Sequence, residues 1–89
     1  MTKEQLEEVK QMAGLFFSIR DIADNLELDE ESLEKISADM QLRRGEFFKA
    51  YRTGWLTSEI KLRKSIEQAA ENGSNPAQQM MLNFQKSAQ

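Results

Sequence analysis

Apolar residues recur every three or four positions along almost the whole chain, and the single proline, Pro76, lies close to the carboxyl end. This spacing is typical of amphipathic α-helices, because strands alternate apolar and polar residues. The longest such stretch predicts one long helix from about Gly45 to Asn72, with a break between Arg52 and Thr57 as the alternative because Gly54 weakens it. Its predicted apolar face consists of Phe47, Phe48, Tyr51, Trp55, Leu62, Ile66, Ala69 and Ala70.

Capping residues divide the rest of the chain into shorter helices. Thr2 with Gln5 fits a capping box, and Ser18 and Asp29 are the predicted N-caps of the second and third helices. After the long helix, the predicted stop, cap and first helical residue of a last short helix are Gly73, Asn75 and Pro76. The sequence predicts one all-α domain over residues 1–89. It comprises a helix-turn-helix-like three-helix unit (2–40), followed by the long helix and a short returning helix (45–86).

The segment 18–36 matches the apolar spacing of a helix-turn-helix. Ala23 is the small residue expected where the two helices cross, and Glu27 stands in the turn where glycine is commonest. The expected apolar positions hold Ile22, Leu26, Leu28, Leu33 and Ile36. The same spacing also fits the core of an ordinary three-helix arrangement, so both interpretations stay open.

Charge is divided unevenly along the chain. Residues 1–39 hold 4 Lys or Arg and 11 Asp or Glu, whereas residues 40–89 hold 8 and 4. The predicted recognition helix starts with several carboxylates, where a base reader needs hydrogen-bond donors and cations. Only Ser32 and Lys35 are candidates for base contacts there.

The basic side chains lie later in the chain. The predicted phosphate-binding residues are Arg43, Arg44, Lys49, Arg52, Lys61, Arg63 and Lys64. Basic residues with aromatic neighbours along a helix suit a surface that follows a nucleic-acid backbone. Two alternatives are a solvated helix face and a head-to-tail contact with the acidic half of a second copy.

Trp55, Leu56 and Ile60 are candidate interface residues. Leu56 and Ile60 are four positions apart and fall outside the main apolar sector of the long helix. They either widen its buried face or, if exposed, mark a contact between subunits.

The composition excludes several kinds of site. The chain has no cysteine and no histidine, so disulfides, thiolate chemistry and the usual zinc sites are excluded. We expect a non-enzymatic protein without a cofactor. No apolar run reaches the roughly 20 residues of a membrane span, and the amino terminus lacks a secretory signal, so we expect a cytoplasmic protein that does not contact membranes.

The stretch FFKAYRTGWLTSEIKLRKSIEQAAENGSNPAQQMMLNF resembles small phage proteins of the terminase small subunit type. The shared pattern is an aromatic residue, AYR.G, a basic segment with LR, then A..GN and a short apolar helix. Matching positions hold Phe47, Phe48, Ala50, Tyr51, Arg52, Gly54, Leu62, Arg63, Ala70, Gly73, Asn75, Pro76, Ala77 and Leu82. The resemblance covers about residues 9–84.

This resemblance implies a role in DNA packaging, in a bacterial host or a cell that carries a prophage. Small terminase subunits recognise the viral genome, assemble as rings and deliver DNA to a large subunit that holds the ATPase and nuclease. The implied partners are double-stranded DNA, further copies of the chain and a large terminase subunit. The sequence has no G-x-x-x-x-G-K-[ST] phosphate loop, as expected of the non-enzymatic subunit.

Two other functions fit the same residues. A helix-turn-helix transcriptional regulator would dimerise and depend on recognition-helix positions such as Ser32 and Lys35. A protein–protein interaction module would use the helix-turn-helix as a scaffold and would not bind DNA.

Overall fold

The computed structural model describes residues 1–88, which are helical apart from short turns and contain no strand. The helices are α1 (Lys3–Gly14), α2 (Ile19–Asn25), α3 (Glu30–Gln41), α4 (Glu46–Glu71) and α5 (Asn75–Ser87). The all-α prediction is therefore confirmed, as is the continuity of the long helix through Gly54. The chain forms two compact units, Met1–Ser58 and a second that begins at Glu59. Within residues 1–88, none of the helices has the length and apolar character required to cross a membrane.

The predicted N-caps of the first three helices are confirmed. Thr2 and Gln5 form the capping box, in which the Gln5 backbone N–H donates to Thr2 Oγ1 (3.1 Å) and the Thr2 N–H donates to Gln5 Oε1 (2.9 Å). The Ser18 hydroxyl oxygen accepts from a backbone N–H at 3.1 Å, and Asp29 Oδ1 accepts from one at 2.7 Å. Each cap satisfies a donor that the first turn would otherwise leave without a partner.

The predicted cap of α5 is wrong by one residue. Ser74, not Asn75, is the N-cap, and its hydroxyl oxygen accepts from the Ala77 backbone N–H at 3.3 Å. Pro76 therefore occupies the second helical position rather than the first. Proline is tolerated there because an N–H in the first turn has no intrahelical acceptor.

Several helices end on a residue in the left-handed region. In the turn after α2 this residue is Glu27, with φ 57°, and the next N–H, that of Leu28, donates to the Ala23 carbonyl oxygen at 3.0 Å. Phe16 (φ 65°) and Arg43 (φ 53°) close α1 and α3 in the same way. Glycine is the usual residue at this position because it has no Cβ. In the turn before α3, Glu27 therefore adopts a backbone conformation that glycine takes more easily.

The core of the first unit lies where α1, α2, α3 and the first part of α4 meet. Its buried cluster consists of Val9, Ala13, Ile22, Ile36, Phe47 and Ala50. Gly54 is also buried on α4, and a side chain there would overlap the α1 backbone at Lys10. The two helices therefore approach closely at this glycine.

The predicted apolar face of α4 is wrong in detail. The buried residues in its first half are Phe47, Ala50 and Gly54, which lie one helical turn apart, whereas Phe48 and Trp55 are only half-buried. The buried face of α4 differs from the predicted one because α1 lies close to α4. Small residues on α4 allow this approach, and aromatic residues in the same positions would not. In the second unit Leu62 is 47% exposed, although the apolar sector placed it on the buried face.

The second unit is a helical hairpin formed by the end of α4 and by α5. Among residues 59–88 only Ala77 is buried. The apolar side chains that are half-buried along the hairpin are Ile66, Ala69, Ala70, Met81 and Phe84. This unit therefore has a very small apolar core of its own.

Candidate nucleic-acid interface

The two candidates for base contact on α3, Ser32 and Lys35, both contact other residues of the first unit. Ser32 is half-buried, and its backbone N–H is held by the Asp29 cap. Lys35 is exposed, and its Nζ lies 3.5 Å from Asp39 Oδ2. Both residues line a pocket of about 210 Å³ together with Leu28, Asp39 and Phe47. A hydrogen bond from Lys35 to a base edge would therefore compete with its ion pair to Asp39, and the Ser32 side chain is only partly accessible to a base.

The first turn of α3 presents negative charge to solvent. Glu30, Glu31 and Glu34 are all exposed, and Arg20 Nη1 lies 3.8 Å from Glu30 Oε1. The Ser32 backbone N–H, and secondarily its side chain, lower the pKa of Asp29 below its ordinary 3.8. The exposed carboxylates at the start of α3 therefore repel phosphate.

The Asp29 cap makes part of the stability of the fold depend on pH. Because the folded-state pKa of Asp29 is lowered, its stabilisation is fully present above the ordinary carboxyl value of 3.8 and is lost as the pH falls through the lower folded value. We expect a smaller drop in melting temperature between neutral pH and pH ~3 for Asp29→Asn than for the wild type, since asparagine caps without titrating. Thermal unfolding followed by circular dichroism measures this, and equal drops in the two proteins would contradict it.

Cationic and aromatic side chains alternate along one side of the first unit. The Arg43 guanidinium lies 5.0 Å from the centre of the Phe48 ring, and the Arg52 guanidinium lies 5.5 Å from that of Trp55. Phe48 and Arg52 are neighbours on the helix surface, because they are four residues apart on α4. Phe16 continues the row, with its ring centre 5.6 Å from that of Trp55 in an edge-on arrangement. We call these five residues the cation–aromatic stripe.

Arg43 and Arg52 differ from the other predicted phosphate-binding arginines in their partners. Both are exposed, and neither forms an ion pair with a carboxylate within residues 1–88. Arg44, by contrast, lies 3.4 Å from Asp39. The stripe therefore offers two guanidinium groups that are oriented by rings and are not neutralised by acids.

Comparison of this chain with protein-family models, with curated proteins and with solved structures finds no match. The resemblance to small terminase subunits therefore stays a prediction. Function has to be inferred from the side chains that the fold brings together.

Lys49 lies beside cations that the sequence pattern did not single out. Together with Lys3 and Lys10 it lines a shallow depression of about 400 Å³ between α1 and α4, where Glu7 and Glu46 are also present. Lys10 Nζ is 3.6 Å from Glu7 Oε2. The sequence did not predict this group, because α1 has an acidic composition and only its packing on α4 brings the three lysines to one surface.

The remaining predicted phosphate-binding residues belong to the second unit. Arg63 donates from Nε to Glu59 Oε1 (2.9 Å), and its guanidinium lies 4.0 Å from the centre of the Phe84 ring. Lys61 and Lys64 are exposed and form no ion pair within the part of the chain from 59 to 88. Arg63 thus has a structural contact in the hairpin, while the two lysines extend into solvent.

The three candidate interface residues have different surroundings. Trp55 packs against the core of the first unit and also belongs to the stripe. Leu56 and Ile60 are 38% and 45% exposed, which does not fit the interpretation that they widen the buried face of α4. A role for these residues in subunit contacts stays a prediction.

Proposed function

We propose that this chain is a non-enzymatic DNA-binding protein of the small terminase subunit type, acting in DNA packaging as a homo-oligomer beside a large terminase subunit. In this proposal α2 and α3 form a helix-turn-helix that serves as a scaffold. The duplex is held through its phosphates by the basic side chains of the first unit, in the cytoplasm of the host cell. Contacts of this kind give affinity without sequence readout.

The observation that carries the proposal is the cation–aromatic stripe. A guanidinium that lies against a ring keeps its edge N–H donors available, and two of them can meet the oxygens of one phosphate. The ring restricts the side chain, so less conformational entropy is lost when DNA binds. Within residues 1–88, Arg43 and Arg52 form no ion pair that would have to break before they bind a phosphate. They are therefore the strongest phosphate contacts in the proposal, and Arg44, which is paired with Asp39, is a weaker one.

The charge of α3 favours backbone binding over base reading. An α-helix that reads bases enters the major groove between two rows of phosphates. Exposed Glu30, Glu31 and Glu34 would be repelled there. In the proposal the start of α3 therefore points away from the duplex, and the stripe faces it.

Replacing Arg43, Arg44 and Arg52 by alanine tests this assignment. We expect the affinity for unrelated duplexes to fall by a similar factor for each sequence, because these arginines bind phosphates in the proposal. The slope of log affinity against log salt should become shallower by about 0.9 for each phosphate that is no longer neutralised. Fluorescence anisotropy titrations with two unrelated duplexes at several salt concentrations measure both quantities.

Arg20→Ala is the matched control for this experiment. It removes one arginine charge from the same unit, but Arg20 belongs to the acidic side, where it pairs with Glu30. We expect its salt slope to equal that of the wild type. Unchanged affinity and slope in the triple variant would show that the stripe does not bind DNA.

A protein–protein interaction module is the second candidate function. The exposed carboxylates at the start of α3 favour it, because they suit a basic protein partner better than a nucleic acid. A wild-type protein that binds no duplex even at low salt would favour this candidate. A regulator that reads bases has less support, since Ser32 is half-buried and Lys35 is paired with Asp39.

A further inference from the structure

The hairpin of the second unit has an apolar groove along one side. The groove, of about 670 Å³, is lined by Ala70 from α4 and, from α5, by Gln78, Met81, Leu82, Phe84 and Gln85. Leu82 is 51% exposed there. A half-exposed leucine beside an open apolar groove is an unfavourable arrangement in water and becomes favourable when the groove is covered.

The small size of the second unit also indicates that it associates with a partner. Helical units of about 30 residues do not bury enough apolar surface for stability without disulfides, a metal or association. The chain has no cysteine or histidine, and among residues 59–88 the only buried side chain is that of Ala77. Association with another molecule would stabilise this hairpin by covering its apolar side chains.

We infer that the groove is covered by the same groove of a second copy of this chain, so that two hairpins form a two-fold symmetric four-helix arrangement. This inference deepens the homo-oligomer part of the proposed function and rests on it, but it does not require DNA binding.

The charge of α5 favours a second copy over a different partner. A two-fold contact places identical surfaces against each other, so a charged surface would repel itself. Helix α5 carries no carboxylate, and its single cation, Lys86, lies in the last turn. The Arg63 guanidinium, which lies against the Phe84 ring, is neutralised by its ion pair with Glu59. The other polar side chains of α5 are mostly amides, which both donate and accept hydrogen bonds and can therefore pair with their own copies.

The position of Leu82 fits this symmetry. It lies next to the midpoint of α5 (Asn75–Ser87), so a two-fold axis near it brings two antiparallel α5 helices together along their whole length. Each Leu82 then enters the groove of the other copy. The two Lys86 side chains lie toward opposite ends of the contact, where they do not repel each other.

Light-scattering mass of the full chain without DNA tests the inference. At high protein concentration we expect twice the monomer mass of 10.3 kDa. Leu82→Gln should raise the dissociation constant of the dimer by about a hundredfold. Each dimer buries two Leu82 side chains, and the loss of each one raises the dissociation constant about tenfold. Gln85→Glu is a second variant, and it should weaken the dimer at neutral pH because Gln85 lines the groove, so covering the groove would remove a charged carboxylate from water.

Leu62→Gln is the matched control. Leu62 is 47% exposed in the same unit but does not line the groove, so this variant should dimerise like the wild type. Circular dichroism checks that all variants are helical. A wild-type protein that stays monomeric at high concentration would overturn the inference, and so would a dimer that neither Leu82→Gln nor Gln85→Glu weakens. Because no DNA is present, these outcomes are distinct from failure of the DNA-binding proposal.

Discussion

Gly54→Ala should destabilise the first unit by about 3 kcal/mol, although alanine favours an isolated helix by roughly 1 kcal/mol over glycine. A Cβ at this position would overlap the carbonyl oxygen of Lys10 and lie 2.8 Å from its carbonyl carbon and 2.9 Å from its Cα. These are backbone atoms of α1, so they cannot rotate away as a side chain can. Helix α1 would have to move away from α4 and open the core around Val9 and Ala13. Urea unfolding followed by circular dichroism measures the loss of stability.

Gly73→Ala is the control for this prediction. Gly73 has φ 96°, but a Cβ there meets no atom within 4 Å. We expect a loss of about 1 kcal/mol from the left-handed backbone alone. A Gly54→Ala variant as stable as the wild type would show that α1 and α4 do not approach closely at this residue.

Ile22→Ala should cost about 3 kcal/mol, because the Ile22 side chain is completely buried in the core cluster of the first unit. Domains of this size have a net stability of about 5 kcal/mol or slightly more, so the variant should keep about 2 kcal/mol and a few per cent of its molecules should be unfolded. The same denaturation experiment measures this change.

Ile60→Ala makes the same chemical change at a side chain that is 45% exposed. We expect its free energy of unfolding to stay within about 0.5 kcal/mol of the wild-type value. Equal destabilisation at the two positions would contradict the placement of the core around Ile22.

Local signals in the sequence predicted much of the helical framework. Thr2, Ser18 and Asp29 cap their helices as expected, because each cap depends only on residues within one turn. The cap of α5 was harder to predict because Ser74 and Asn75 are adjacent and both residue types can cap a helix. There the serine hydroxyl makes the bond.

Packing between helices could not be predicted in the same way. The importance of Gly54 depends on Lys10, which is 44 positions earlier and lies on a different helix. Aromatic residues dominated the predicted apolar face of α4, but the close approach of α1 selects the small residues Ala50 and Gly54 for the interior.

The candidate site was only partly predictable. Composition identified the basic residues, but it could not tell that Arg44 pairs with Asp39 while Arg43 and Arg52 lie against rings. Nor could it place Lys3 and Lys10 beside Lys49, because that neighbourhood requires α1 to pack on α4. Pairings between residues distant in sequence decide which cations are available to a ligand.

The central claim is that the first unit binds duplex DNA through phosphates, and the salt dependence of wild-type binding tests it most directly. With about three to four phosphate contacts, a plot of log affinity against log salt should have a slope of about −3, and it should be the same for unrelated duplexes. Absence of binding at low salt, or affinity that does not change with salt, would contradict the claim.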